Sequence, residues 1–302
     1  MKVLVTGAGS FSGRHLLEYL AQNSSAEIHC TSLTRRVDRP WLFYDLTRSE
    51  HVSELIERVV PDQIYHLVGA NTDNYQTDYQ TNVQTTRNIL DSITRMKLRC
   101  RVFLVGSSAE YGIVDEKDNP VDEDHALTPM SNYGLTKVYQ VYLMKFYCVC
   151  HNLDIVMART FNLYGTGMST ELFVGRLLEQ IEAYRAGRIS AIVVGNLDNQ
   201  RDYVRIEVAV RAYALIMERG KAGEVYNVGS GASIRIRDLL RCILEVNGLS
   251  MAVVQEQQSR KENKFDIKNL VADIAKLRAL KGEAWPELPF SVKEENQGPP
   301  SL

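Results

Sequence analysis

Tyr133 and Lys137 stand four residues apart in Tyr133-Gly-Leu-Thr-Lys137. In a helix that spacing puts both side chains on one face, about one turn from each other. An ammonium held near a phenol favours the phenolate and lowers a pKa that is ordinarily about 10. Such a pair can pass a proton near neutral pH, as carbonyl chemistry on a sugar requires. Tyr-x-x-x-Lys also arises by chance in many helices, so its meaning depends on the elements that would hold it.

Those elements alternate. Strand patterns at Val3–Val5, Glu27–Thr31, Gln63–Val68, Arg101–Val105 and Asp154–Ala158 are separated by helical patterns at Arg14–Ala21, Val52–Val60, Asn82–Met96 and residues 131–150. Continuous apolar strands alternating with helices predict an α/β fold, a doubly wound, Rossmann-type parallel sheet covered on both faces. This pattern occupies residues 1–160, with a returning segment near 196–222. After Arg159 the rhythm breaks. A loop at Gly165-Thr-Gly167, strands at Ile192–Val194 and Glu224–Val228, and helices at Val208–Met217, Ile236–Val246 and Ile274–Leu280 follow. Residues 161–195 and 223–302 are therefore expected to form a smaller α/β lobe over the carboxyl edge of the sheet. The polar tail from Ser291 to Leu302 is expected to fray.

Composition excludes several classes. The 302 residues are 45% hydrophobic and 24% charged, which is enough for one large domain or two joined ones. A net charge of −2 carries no nucleic-acid footprint. Five cysteines, an odd number without a CxxC pair, read as reduced thiols, and six scattered histidines have no metal-ligand spacing. No signal peptide and no bilayer-length apolar run are visible, so a cytoplasmic protein without a membrane or metal partner is expected.

Thr6-Gly-Ala-Gly-Ser-Phe-Ser-Gly13 follows the first strand and opens the first helix. A glycine-rich turn there binds a pyrophosphate, because the helix N-terminus offers free N–H groups and the positive end of its dipole. Gly7, Gly9, Ser10, Phe11, Ser12 and Gly13 are the candidate contacts. The spacing fits G-x-x-G-x-x-G except at Ser10, whose Cβ would crowd the diphosphate unless the loop shifts. The second strand runs into Thr31-Ser-Leu-Thr-Arg35-Arg36 without the acid that would bond a ribose 2′-OH. Adjacent arginines suit a 2′-phosphate, so Arg35 and Arg36 favour NADP(H) over NAD, the alternative being two solvated loop arginines. Asp45, beside Leu46, could contact the adenine amine or cap the turn before Arg48.

These motifs coincide with further ones: Tyr65-His-Leu-Val-Gly69, Asn82-Val-Gln-Thr-Thr-Arg-Asn88, Val105-Gly-Ser-Ser-Ala-Glu-Tyr-Gly112, Ala158-Arg-Thr-Phe-Asn-Leu-Tyr-Gly165, Gln200-Arg-Asp-Tyr203 and Tyr226-Asn-Val-Gly-Ser-Gly231. Over nearly its whole length the chain resembles the extended short-chain dehydrogenase/reductases that act on nucleotide-diphosphate sugars. The resemblance implies that Ser107, with Ser108 as the fallback, bonds the reacting sugar oxygen. Tyr133 would be the acid/base, and Lys137 would hold the nicotinamide ribose and lower the tyrosine pKa. Leu67, Val68 and Gly69 would line the cofactor. Asn162, Arg201 and Tyr226 would bind the sugar nucleotide, Arg201 at its diphosphate and Tyr226 at its nucleoside end. Family members commonly dimerise through the helices that correspond to Asn82–Met96 and 131–150, so a homodimer is implied.

Three reactions compete within that resemblance. A 4,6-dehydratase carries an acidic residue directly after the Ser/Thr or one place later, where this chain has Ser108 and Ala109. Glu110, one further along, would face away on an extended segment, unless a one-residue bulge restored it. A 4-epimerase recycles a tightly held NAD, whereas the arginine pair suits a reductase that exchanges NADPH. Ala158-Arg-Thr-Phe-Asn162, Gly195–Tyr203, Glu224–Gly231 and the basic Arg260-Lys261 resemble most the branch that reduces GDP-4-keto-6-deoxy-mannose. NADPH-dependent reduction at C4 is the expectation, with 4-epimerase and dehydratase as alternatives. A non-catalytic dinucleotide sensor is a further alternative, supported by Ser10 and by the absence of the family's usual long helix after Trp285-Pro286.

Overall fold

The structure, a computed structural model, describes residues 1–33, 41–170, 172–257 and 267–281. Arg35, Arg36, Arg260, Lys261, Trp285-Pro286 and the tail lie outside the described residues.

The first half alternates as its apolar pattern requires. β1 (Lys2–Thr6), α1 (Phe11–Asn23), β2 (Glu27–Ser32), β3 (Leu42–Phe43), α2 (Ser49–Val59) and β4 (Gln63–His66) come first. A short helix, α3 (Tyr75–Asp78), passes through a π-turn at Tyr79–Gln84 into α4 (Thr85–Met96). β5 (Arg101–Ser107), α5 (Asn132–His151) and β6 (Asp154–Thr160) complete this part. The second half holds β7 (Asn162–Tyr164), α6 (Phe173–Arg185), β8 (Ile192–Val194), β9 (Gln200–Arg205), α7 (Ile206–Arg219), β10 (Val225–Val228), β11 (Ser233–Arg235), α8 (Ile236–Val246), β12 (Val254–Glu256) and α9 (Ala275–Lys281).

Seven strands form one parallel sheet in the order β10-β6-β5-β4-β1-β2-β3. Successive side chains of a strand point to opposite faces, and here both faces are covered. Val3 and Val5 pack with Leu16, Leu17 and Leu20 of α1 and Val210, Tyr213 and Ile216 of α7. Leu4 lies in the opposite core with Leu55 and Ile56 of α2, Ile89 and Ile93 of α4, and Met144 of α5. This is the predicted doubly wound α/β sheet, and its order reverses between β1 and β4.

The structure differs from expectation in the second half. α6 has no counterpart in the expected elements, although Val174, Leu177, Leu178 and Ile181 make a helical stripe that packs against Leu240 and Leu244 of α8. β7, β9 and β11 form a small separate sheet, and three-residue strands such as β7 and β11 are too short to carry a readable alternation. β10, expected in the smaller lobe, lies in the large sheet beside β6 with all four residues buried. A four-residue strand, here Val-Tyr-Asn-Val, does not by itself tell which sheet it joins.

Leu16 is fully buried between β1 and α7. Leu16→Ala should lower unfolding free energy by about 2–5 kcal/mol, read as a lower urea midpoint at an unchanged slope.

Candidate active site

The carboxyl ends of β1, β4, β5 and β6 converge where the strand order reverses, the position at which open α/β sheets take their ligands. Gly7, the first residue after β1, has φ of +69°, and a Cβ there would stand 2.7 Å from the Leu67 carbonyl carbon. The loop after β1 can therefore lie against the end of β4 only with glycine at this position. Ser10 does not crowd the turn. Its side chain is the N-cap of α1 and accepts the Gly13 N–H at 3.1 Å. The N–H groups of Phe11 and Ser12 remain at the helix N-terminus for an anion.

Ser107 ends β5. Its hydroxyl accepts the Ala109 N–H at 3.2 Å and caps the 3₁₀ turn Ser108–Glu110. Tyr133 lies in the first turn of α5, whose N-cap Ser131 accepts the Gly134 N–H at 3.0 Å. A Cβ on Gly134 would meet the Ala109 carbonyl oxygen at 2.5 Å, so glycine lets the helix start settle directly on the turn after Ser107. Tyr133 and Ser107 are consequently side by side, and the Ser107 side chain acts on the Tyr133 phenol. Lys137, one turn on, has its Nζ 5.7 Å from the Tyr133 ring centre and donates to the Val105 carbonyl at 2.9 Å. The helix face and strand end bring all three together.

The expected lowering of the tyrosine pKa is not what this arrangement produces. Burial pushes the Tyr133 phenol up to about 12; the Ser107 hydrogen bond opposes the rise, and the charges of Glu110 and Asp78 add to it. Burial likewise brings Lys137 down to about 8, against the pull of Glu110. Lys137 spends its hydrogen bond on Val105, away from the phenol. At neutral pH the pair is a protonated phenol beside an ammonium, which makes Tyr133 a proton donor.

Glu110 does not face away on a strand. It sits in the 3₁₀ turn, is fully buried, and accepts the Ser107 N–H at 2.7 Å and the Arg159 Nε–H at 2.6 Å. The backbone turns there, so the alternation of an extended segment does not apply.

The other candidates divide. Leu67 is buried, Val68 is half-buried, and Gly69 is exposed, a Cβ there standing 3.3 Å from Asn82 Oδ1 and 3.4 Å from Lys137 Nζ. Ser108 follows Ser107 in the turn, half-buried. Asp45 serves its turn: its carboxylate accepts the Thr47 N–H at 3.0 Å and the Thr47 hydroxyl at 2.7 Å, bonds that hold its pKa below the usual value. Leu46 is a core residue whose carbonyl accepts from Asn88 at 2.9 Å. Asn162 and Arg201 share the small sheet, with Asn162 Nδ2 donating to the Asp202 carbonyl at 2.9 Å and Arg201 half-buried one residue away on β9. Tyr226 is a correction. It is buried in the core with α7, and its hydroxyl accepts the Lys221 N–H at 2.9 Å, in the turn before β10 and so at the amino edge of the sheet. A buried ring on a central stretch of strand cannot reach a nucleoside at the opposite edge.

Three residues around the site carried no assigned role in the sequence. Asn82, fully buried in the π-turn, bonds both backbone groups of Ala70 at 2.8 and 2.9 Å and reaches Thr136 beside Lys137 at 2.8 Å. His66 is clamped between Thr6 at 2.7 Å and Thr85 at 3.2 Å, and burial takes its pKa down to about 3, so it stays neutral. Arg159 ends an otherwise apolar strand pattern, the one signal that marked it. A charge in a strand buried on both faces must find a partner.

A parallel sheet with a helix N-terminus at its switch point and a Ser/Tyr/Lys set beside it defines a dinucleotide-binding α/β enzyme site. Residues 3–229 match the model of the NAD dependent epimerase/dehydratase family, and the chain belongs to that family. It is 26% identical over 268 residues, 84% of this chain and 83% of the relative, to GDP-6-deoxy-D-mannose reductase of Pseudomonas aeruginosa. Among solved structures, RMD of P. aeruginosa complexed with NADPH matches with a TM-score of 0.81 at 24% identity, covering 93% of each chain. DesIV, a dTDP-glucose 4,6-dehydratase of Streptomyces venezuelae with NAD and TYD bound, matches with a TM-score of 0.84 at 22% identity, covering 96% of this chain and 93% of its own. The residues fit a dinucleotide, since Gly7 and the free Phe11 and Ser12 N–H groups form a cradle for a diphosphate.

Gly7→Ala would force a Cβ into the Leu67 backbone at a positive φ. The variant should bind a reduced nicotinamide dinucleotide at least about tenfold more weakly, measured by fluorescence titration, with its far-ultraviolet circular dichroism unchanged.

Proposed function

We propose that the protein reduces the C4 ketone of a nucleotide-diphosphate 4-keto-6-deoxy sugar with NADPH, the GDP-linked sugar being the first candidate. The observation that carries this reading is the buried Tyr133 phenol brought beside Ser107, with the neighbouring Glu110 engaged on Arg159. A ketone becomes an alcohol by gaining a hydride at carbon and a proton at oxygen. The dinucleotide, when bound, supplies the hydride. The Ser107 hydroxyl holds the ketone oxygen, and Tyr133 Oη gives it the proton as negative charge develops there. Lys137 stands beside the phenol as a fixed positive charge, worth more to a developing anion in a buried site than in water. Elimination of water would require an additional acid and base among these groups, and Glu110, with both oxygens engaged, is not free to act as either.

The match to a GDP-6-deoxy-D-mannose reductase supports the guanine nucleotide, and β2 ends without an acid, which supports NADP(H) over NAD. Asn162 and Arg201 are proposed to meet the sugar nucleotide, Arg201 at the diphosphate. Incubation with a panel of 4-keto-6-deoxy sugar nucleotides should oxidise NADPH, followed by its absorbance. Tyr133→Phe should lower that rate by about 10²–10⁴-fold with NADPH binding retained. Unchanged turnover would remove Tyr133 from the mechanism, and interconversion of 4-hydroxy epimers without added cofactor would replace reduction with epimerisation.

We also propose a homodimer through α5. Tyr142, Phe146 and Val149 form an apolar stripe at helical spacing and are 62%, 52% and 83% exposed. Sedimentation should give twice the chain mass, and Phe146→Glu should give the monomer.

A further inference from the structure

Glu110 is bonded to the backbone of Ser107 and acts on Tyr133 and Lys137 through its charge. Its Oε1 accepts the N–H of Ser107 at 2.7 Å, so it holds the backbone from which the Ser107 hydroxyl projects. Its Oε2 accepts from Arg159 Nε at 2.6 Å, and both side chains are buried. A Cβ on Gly106 would meet Glu110 Oε1 at 2.4 Å, so glycine leaves the carboxylate room under the end of β5. Arg159 is held in turn. It stands 4.4 Å over the Tyr111 ring and donates to the Tyr111 hydroxyl at 2.8 Å and the Glu123 carbonyl at 3.2 Å. Tyr111 donates to Asn227 Oδ1 at 2.7 Å, and Asn227 Nδ2 donates to the carbonyls of Val121 and Asp273 at 2.9 and 3.2 Å. The position of Ser107 is thereby tied to β6, β10 and the segment before α9.

The carboxylate also acts through its charge. Glu110 raises the pKa of both Tyr133 and Lys137. Burial pushes the Glu110 carboxyl itself up, against the pull of Arg159 and the Ser107 N–H. Both of its oxygens accept from N–H groups, and a guanidinium keeps its proton, so the geometry holds the carboxylate.

We propose that Glu110 is a positioning residue, which sets the Ser107 hydroxyl through the Ser107 N–H and places a buried negative charge near Tyr133 and Lys137. The proposal rests on the reading of Tyr133 as proton donor. The other groups acting on these residues are Asp78, Ser107 and Tyr213 around Tyr133, His66 and the Val105 carbonyl around Lys137, and Arg159 around Glu110. None of the first two sets changes when Glu110 loses its charge. Arg159 keeps its charge in Glu110→Gln, so the change there is the loss of the carboxylate alone.

Glu110→Gln keeps an oxygen for the Ser107 N–H and removes the charge. Glu110→Gln with Arg159→Met removes both buried charges and covers the case in which the single variant does not fold. Burial brings Lys137 down to about 8, so loss of its proton is expected to set the alkaline limb of the rate. Reduction should fall as pH rises through that limb, and the limb should move down by about one pH unit in Glu110→Gln and by less in the double variant, which also loses the Arg159 cation. Turnover should fall about twofold at pH 7 and about tenfold at pH 9, with KM little changed. The Lys137 side-chain ¹⁵N titration, assigned with Lys137→Met, reads the same shift without substrate. A limb and a Lys137 midpoint that stay in place while activity drops equally at every pH would overturn the proposal and leave Glu110 a structural residue. If the wild-type protein turns over no 4-keto sugar nucleotide, the reductase reading fails by itself. The Lys137 midpoint then still decides the charge effect, a downward shift supporting it and an unmoved midpoint overturning it.

Discussion

A carboxylate and a guanidinium cannot be taken out of water singly, and much of this molecule is arranged around that constraint. Glu110 and Arg159 are buried side by side beneath the reactive groups. Removing one partner of such a pair costs about 3–5 kcal/mol, because the other charge is left without compensation. Tyr111, Asn227 and Glu123 complete the hydrogen bonding around the pair. The end of β5 and its turn, the end of β6, and β10 from the far side of the sequence therefore have one mutually satisfied arrangement. Partly satisfied alternatives would each leave a buried polar group unpaired.

The same burial sets the character of the site. Desolvation pushes the Tyr133 phenol up and the Lys137 ammonium down, so the two act in opposite directions from their ordinary values. A buried negative charge restores part of the ammonium and strengthens the phenol's hold on its proton. The outcome is a donor-ready tyrosine next to a cation, reached through environment rather than through direct contact between the two side chains. His66, equally buried but lacking an acid partner, is driven neutral and serves as a hydrogen-bonded strut between Thr6 and Thr85.

Close backbone approaches complete the arrangement. Gly7 lets the loop after β1 touch the end of β4, and Gly134 lets α5 start against the turn after Ser107. Each is a local choice of a missing Cβ with a consequence for two elements distant in sequence. Asn82 does comparable work with a side chain, holding Ala70 and Thr136 in fixed relation beside Gly69 and Lys137.

What the amino-acid sequence determined by itself was whatever repeats or lies close along the chain. Alternating strand and helix periods specified the parallel sheet, the glycine-rich turn marked the helix N-terminus, and the four-residue spacing put Tyr133 and Lys137 on one face. α6 was legible too, in Val174, Leu177 and Ile181, whereas β7 and β11 were too short to show a period. Tertiary structure alone decided which charges met. Glu110 and Arg159 are 49 residues apart and pair only because β5 and β6 are neighbours in the sheet. Tyr226 was assigned to the ligand and belongs to the core, because which edge of the sheet a strand residue occupies depends on the register of β10 against β6. The protonation of Tyr133 follows the same rule, since a pKa is set by burial and by charges brought from elsewhere in the chain.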